Sequence, residues 1–225
     1  MKRLLTITFG ILLSGLAVAQ NVEQRELPFF DKIRVSGEIK VFIEKGDKEM
    51  ATIKANEILV SDIILEVVGK TLEIKLKKDS KKQAKAEVFV KYRELRDVSV
   101  AAAAYVSMND TLKVDKLVLN VITTSEFDSD IIANTIDVKV GQGSSVRLRG
   151  SVRNYEATVN TKGILSALEL KADSAFVTVG TGAIAKIFAK EFIEANVRPA
   201  GNLTYSGEPK QKNIKTSVGS TVREE

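Results

Sequence analysis

The chain has 225 residues, 44% of them hydrophobic and 28% charged, with a formal net charge of +5 and no His, Cys or Trp. Without Cys there is no disulfide or thiolate chemistry, and most structural zinc sites are closed to it. Without His, acid–base catalysis near neutral pH would rest on carboxylates, Lys or Tyr, and the usual hydrolase triads are excluded.

Residues 1–19 have the layout of a secretory signal. Lys2 and Arg3 form the positive end, Leu4 to Val18 the apolar run, and Ala17-Val18-Ala19 before Gln20 a small-x-small cleavage site. A transmembrane anchor is the alternative, but it needs about 20 apolar residues, and Thr6, Thr8 and Ser14 interrupt this run. No Cys comes after it, so no N-terminal lipid is expected, nor is any transmembrane segment in the mature chain. Loss of Lys2 and Arg3 would leave a net charge of about +3 over mixed signs, which does not point to nucleic acid.

Residues 20–92 have a β pattern without a fixed period. Ile33, Val35, Ile39, Val41 and Ile43 alternate with Arg34, Lys40 and Phe42. Gly46-Asp47 and Gly69-Lys70 predict hairpin turns, and Thr52 to Ala55, Leu72 to Leu76 and Glu87 to Lys91 predict further strands. This region is expected to be an N-terminal β-sheet that begins and caps the rest of the fold. A separate domain is the alternative, although no Pro/Gly/Ser linker precedes residue 95. Lys75, Lys77, Lys78, Lys81, Lys82 and Lys85 read as a solvated turn between strands rather than a polyanion or membrane contact.

Residues 93–210 repeat. Val100, Val121, Val140, Val159, Val179 and Val197 are spaced by 21, 19, 19, 20 and 18 residues, and a period near twenty signals a solenoid. Two residues earlier lie Val98, Leu119, Val138, Ala157, Val177 and Ala195, and polar residues such as Asn120, Lys139 and Thr158 stand between, so each segment is a strand. Six residues past the anchors a second inward column resumes as Val106, Phe127, Val146, Leu165, Ala185 and Leu203. Each repeat is therefore expected to supply two strands at a corner. Residues 183–195 also fit an amphipathic helix, but the repeat register favours strand. Thr216 and Val222 extend both columns by 19 residues, so 211–225 is a partial last rung or a tail.

Few residues suggest chemistry. Asp128 and Asp130 share a strand face, as paired carboxylates in a calcium-dependent lyase would, yet one period later stand Arg147 and Arg149. The pairs Asp128–Arg147 and Asp130–Arg149 are expected to be structural. Leu168 and Phe188 fall at outward positions of one column, and Phe176 stands outward between Glu156 and Glu194, which suggests an interaction patch. Most other Phe and Tyr are expected inward, which argues against a carbohydrate platform. No catalytic, cofactor-binding or metal residue is assigned.

The opening Leu27-Pro28-Phe29-Phe30-Asp31-Lys32-Ile33-Arg34-Val35-Ser36-Gly37, the next stretch from Ile39 to Gly46, and the closing Ala200-Gly201-Asn202-Leu203-Thr204-Tyr205-Ser206-Gly207-Glu208-Pro209 resemble the putative auto-transporter adhesin head (GIN) domain family of secreted bacterial proteins. The resemblance implies an all-β, right-handed β-helix-like solenoid of stacked short strands, no established activity and no catalytic, cofactor or metal residues to carry over. Ala101 to Ala104 and Ile122 to Ser125 depart from the family's Ser/Gly-rich corners, and with no barrel-forming region after residue 225 the chain is not expected to export itself. The expected function is a non-enzymatic periplasmic, surface or secreted protein, with adhesin-like binding of a protein or glycan. A polysaccharide-acting enzyme and a periplasmic structural or stress protein without a ligand are the alternatives. An oligomer formed through solenoid edges is compatible with the sequence.

Overall fold

The computed structural model describes residues 21–56, 58–77 and 85–225. The secretory-signal segment and Lys78, Lys81 and Lys82 of the basic cluster lie outside the described residues. The architecture is an all-β solenoid of about seven turns. The strands are β1 (Asn21–Glu26), β2 (Lys32–Ser36), β3 (Lys40–Lys45), β4 (Met50–Asn56), β5 (Ile63–Val68), β6 (Thr71–Leu76), β7 (Lys85–Tyr92), β8 (Asp97–Ala101), β9 (Tyr105–Met108) and β10 (Leu112–Val121). They continue as β11 (Glu126–Val140), β12 (Ser145–Val159), β13 (Ile164–Ala167), β14 (Leu170–Val179), β15 (Ile184–Phe188), β16 (Phe192–Val197), β17 (Asn202–Ser206), β18 (Gln211–Thr216) and β19 (Thr221–Glu224). The helical spacing in 183–195 gives way to β15 and β16, and no described helix is long and apolar enough to cross a membrane.

Valine and isoleucine fit a pleated surface buried on one side, and here they stack in register. On the first wall the inward column runs Ile74, Val35, Val100, Val121, Val140, Val159, Val179, Val197 and Thr216 through parallel partners. On the second it runs Val88, Val41, Val106, Phe127, Val146, Leu165, Ala185, Leu203 and Val222. Nearly all of these side chains are buried. Each Val or Leu so placed contributes roughly 1.5–3 kcal/mol before chain entropy is counted. No single rung could hide its face alone, which is why the columns must be long.

The two-strand repeat needs correction. β11 and β12 run through a second bend, and their middle residues pair in a short third wall: Leu112 with Ile131, Ile131 with Gly150, and Gly150 with Leu170. The bend carries no turn-forming dipeptide, so the sequence period shows only the tight corner. At that corner two successive residues take positive φ: Ala102 and Ala103 at 58° and 63°, Thr123 and Thr124 at 60° and 59°, Gln142 and Gly143 at 54° and 73°. The corners without glycine thus adopt the geometry of those with it. In this conformation each corner amide reaches the next rung. Ala103 N–H donates to Thr123 O at 2.9 Å, and Thr124 N–H to Gln142 O at 3.0 Å.

Strands β2 to β9 build rungs out of chain order. β2 and β3 lie between β6–β7 on one side and β8–β9 on the other, all parallel. Antiparallel β5 covers β6, and antiparallel β4 and β1 continue outward from β7. Gly69-Lys70 is the hairpin expected, with both residues at positive φ and Val68 opposite Thr71. Gly46-Asp47 is not a hairpin. β4 pairs with β7 instead of β3, because both edges of β3 are already taken by β7 and β9.

Candidate functional site

The outer side of the second wall brings together most of the candidate residues. Asp128 and Asp130 project from β11 opposite Arg147 and Arg149 of β12. The pairing differs from simple rung partners. Arg149 bridges both carboxylates, Nη2 to Asp128 Oδ1 and Nε to Asp130 Oδ1, each at 2.6 Å, while Arg147 is 3.6 Å from Asp128. The reach of a guanidinium fork to a diagonal neighbour explains the change. The hydrogen bond that Arg149 donates to Asp128, and then the one it donates to Asp130, push its guanidinium up from its ordinary value. Carboxylates held in this way are poorly placed to transfer protons or bind calcium. Among the described residues no three His, Cys, Asp or Glu side chains gather as metal ligands.

Leu168, half-buried in the turn that follows β13, and Phe188, at the end of β15, come after Arg149 along that wall. Phe188 is only half-exposed: the Lys171 ammonium lies 4.0 Å from its ring centroid, and the ring sits so near Gly207 that a Cβ there would come within 2.8 Å of it. Phe176 belongs to the first wall, 5.4 Å from Phe192, and is 41% exposed. The three residues therefore form two surfaces on different walls and not one patch.

The expectation that most aromatic rings face inward is overturned. Phe30, Tyr92, Phe127, Tyr155 and Tyr205 are buried, but Phe29, Phe42, Phe89, Tyr105, Phe188 and Phe192 are half-buried and Phe176 is exposed. Phe42, Phe89 and Tyr105 make a cluster on the second wall. Phe42 stacks on Phe89 at 5.1 Å and 20°, and meets Tyr105 edge-on at 6.3 Å. The Lys54 ammonium sits 4.4 Å from the Phe89 centroid. The signal was present in the sequence as parity: each ring stands between inward residues, Val41 and Ile43, Val88 and Val90, Ala104 and Val106.

A concavity lies where the third wall begins. Among the described residues the third-wall part of β10 pairs only with β11, and the connection Arg93 to Arg96 and residues Lys113 to Lys116 leave a cleft of about 400 Å³. Buried Asp31 forms an ion pair with Arg96 at 2.9 Å, while its other oxygen has no hydrogen-bond partner. Buried Glu49 accepts from Arg93 Nε at 2.8 and 2.9 Å. Burial, aided by the Asp110 charge, pushes the nearby Tyr92 phenol up beyond its usual range. These groups are mostly satisfied within the chain, so the cleft reads as a junction between the two regions.

The same architecture occurs in solved structures. A putative adhesin from Bacteroides fragilis superimposes with a TM-score of 0.82 at 20% identity, covering 93% of this chain and 98% of that one. A putative adhesin from Parabacteroides merdae gives 0.74 at 16% identity, with 93% and 97% covered. A protein from Parabacteroides distasonis described as a putative lipid binding protein gives 0.70 at 16% identity, with 93% and 98% covered. At these identities the likeness is one of fold. No curated protein matches the chain significantly. The family model described as putative auto-transporter adhesin, head GIN domain, matches residues 29–209, and the chain belongs to that family.

Proposed function

We propose that the chain is a non-enzymatic recognition module, exported to the cell envelope or surface, that binds a protein or glycan partner through the outer side of its second wall. The observation that carries this reading is the composition of that wall. It presents an aromatic cluster at Phe42, Phe89 and Tyr105, then the neutralised Asp128, Asp130, Arg147 and Arg149 group, then Leu168 and Phe188, over about 29 Å of stacked strands. A rigid surface that alternates aromatic, charged and apolar side chains suits adhesion to another macromolecule. The enzyme alternative is weakened by the tethering of Asp128 and Asp130 to Arg149 and by the lack of His and Cys.

The test combines location with capture. Protease added to intact cells should digest the protein while a periplasmic control survives, and the purified chain should bind cell or matrix surfaces. The double variant Phe42→Ser and Phe89→Ser should weaken that binding, and Leu168→Ser with Phe188→Ser should weaken it less, with thermal unfolding confirming that both still fold. Full protection until the outer membrane is opened would remove the surface role. Undiminished capture by both variants would remove this wall as the site.

A further inference from the structure

We infer that the aromatic end of the second wall is a saccharide subsite centred on Tyr105, with a neutral glycan as its occupant; this rests on the proposed recognition function. Two hollows flank Tyr105 and Lys40. One, of about 280 Å³, is lined by Glu38, Ile39, Ala86, Glu87 and Ala103 as well as these two. The other, of about 450 Å³, adds Phe42, Thr124 and Glu126. The larger lies within the size range of small-ligand sites and the smaller just below it.

The hollows exist because of the corner beside them. Ala102 and Ala103 occupy positions that Thr123 and Thr124 fill one rung on, and alanine leaves the space next to Tyr105 open. Parallel register sets Glu87, Lys40, Tyr105 and Glu126 in one outward column, on strands about 4.8 Å apart. Phe89 and Phe42 form the neighbouring column.

The chemistry selects the occupant. A pyranose ring offers faces of polarised C–H bonds, which suit the negative face of an aromatic ring, and an equator of hydroxyls that both donate and accept. Here an aromatic cluster adjoins the Lys40 ammonium and the Glu38, Glu87 and Glu126 carboxylates. Among the described residues no hydrogen bond or ion pair engages Lys40, Glu87, Glu126 or the Tyr105 hydroxyl. An apolar peptide would leave those groups desolvated and unpaired, at a cost. A strongly charged glycan would meet Glu38, Glu87 and Glu126 together with Lys40 and Lys54, a mixture that favours neither sign.

The experiment uses the full mature chain and immobilised hexasaccharides of glucose, mannose, galactose and N-acetylglucosamine, alongside the cell-surface binding assay. At least one hexasaccharide should bind at millimolar concentration or below. Tyr105→Ala and the pair Glu87→Gln with Glu126→Gln should each weaken it by at least about tenfold, while Phe176→Ser on the first wall leaves it unchanged. Tyr105→Thr, which keeps strand propensity, guards against a folding artefact and should match Tyr105→Ala. Because the chain has no Trp and the other three Tyr are buried, tyrosine fluorescence should also respond to the bound saccharide, and lose that response in both Tyr105 variants. Cell-surface capture without binding to any of these saccharides overturns the glycan assignment and leaves the recognition function standing. Saccharide binding that survives both Tyr105 variants overturns the site. Neither saccharide nor surface binding overturns both.

Discussion

Residues 21–108 and residues 112–216 build the same walls by different routes. In the later region each rung hydrogen-bonds to the next one in the chain, as Val121, Val140 and Val159 do. In the earlier region β2 and β3 find partners as distant in sequence as Val100 and Val106, and they are held between strands made long after them. A sequentially stacked array couples mainly to its neighbours and can open from an end. A rung held between distant segments closes only when all of them are present, so the early region should behave as one cooperative unit.

Burying a charge in each region separates the two behaviours and gives the largest effect. Val41 and Val159 are both fully buried, and aspartate at either position leaves a carboxylate unpaired at a cost of several kcal/mol. Hydrogen exchange of Val159→Asp should show lost protection in β12 and the strands after it, with β2, β3, β6 and β7 still protected. Val41→Asp should lose protection throughout. Equal loss in the two variants would show that the chain has a single cooperative unit and that rung order is irrelevant to it.

Glycine sharpens the contrast at smaller cost. Gly150 stands at φ 111° at the bend into the third wall, and a Cβ there would lie 2.1 Å from Ile131 O of the rung before. Gly150→Ala should cost about 3 kcal/mol, or about 6–12 °C in Tm. Gly69, in the exposed β5–β6 hairpin at φ 53°, has open space where its Cβ would be. Gly69→Ala therefore meets only the backbone penalty of about 1 kcal/mol. Calorimetry of both variants reads the difference, and similar Tm values would show that inter-rung contact at Gly150 is relaxed.

The later region was legible because its period is carried by side chains that stack on copies of themselves. Val100 to Val197 and Val106 to Leu203 announce both walls, and even the partial rung at Thr216 and Val222 pairs in that register. The third wall was hidden because Ile131 and Gly150 sit within continuous strands, and the glycine at Gly150 is not repeated at its register partners Leu112, Ile131 and Leu170. The early rungs were hidden for another reason. Adjacency of β2 to both β6 and β8 depends on closure between remote segments, and no local pattern encodes it. On the surface, Asp128, Arg149, Leu168 and Phe188 could be placed by counting periods. Phe42, Phe89 and Tyr105 could not be grouped, since two of them belong to the rungs whose order was unreadable.

Ion pairs differ between the regions as well. Arg93 satisfies Glu49, which is 5% exposed, whereas Arg149 serves two carboxylates that remain in contact with water. Arg93→Gln should cost about 1–2 kcal/mol by leaving a buried carboxylate short of donors. Arg149→Gln should cost about 0–1 kcal/mol. Urea unfolding of the two variants checks the ranking, and reversal would mean that the Asp128–Arg149–Asp130 network ties β11 to β12 more firmly than its exposure suggests.

Acid should act most gently and at both ends. Hydrogen bonds from Arg25 and Lys48 hold Glu23 and Glu26 of β1 below the usual carboxylate value of 4.5. At the far end Lys210 does the same for Glu191, and Lys212, with Tyr205, for Glu224 of β19. A folded-state value below the unfolded one means that the stabilisation is present in full above about pH 4.5 and is lost as the pH falls through the lower folded value. These carboxylates are exposed, so the fold should survive while its margins open. Amide protection in β1 and β19, corrected for intrinsic exchange, should fall between about pH 5 and pH 3 more than in β8 to β12. Lys212→Met should abolish much of that pH dependence in β19 and none of it in β1. If β19 frays with acid as before, its stability comes from pairing with β17 and not from the charge at Glu224, and the open end of the solenoid is held by its backbone alone.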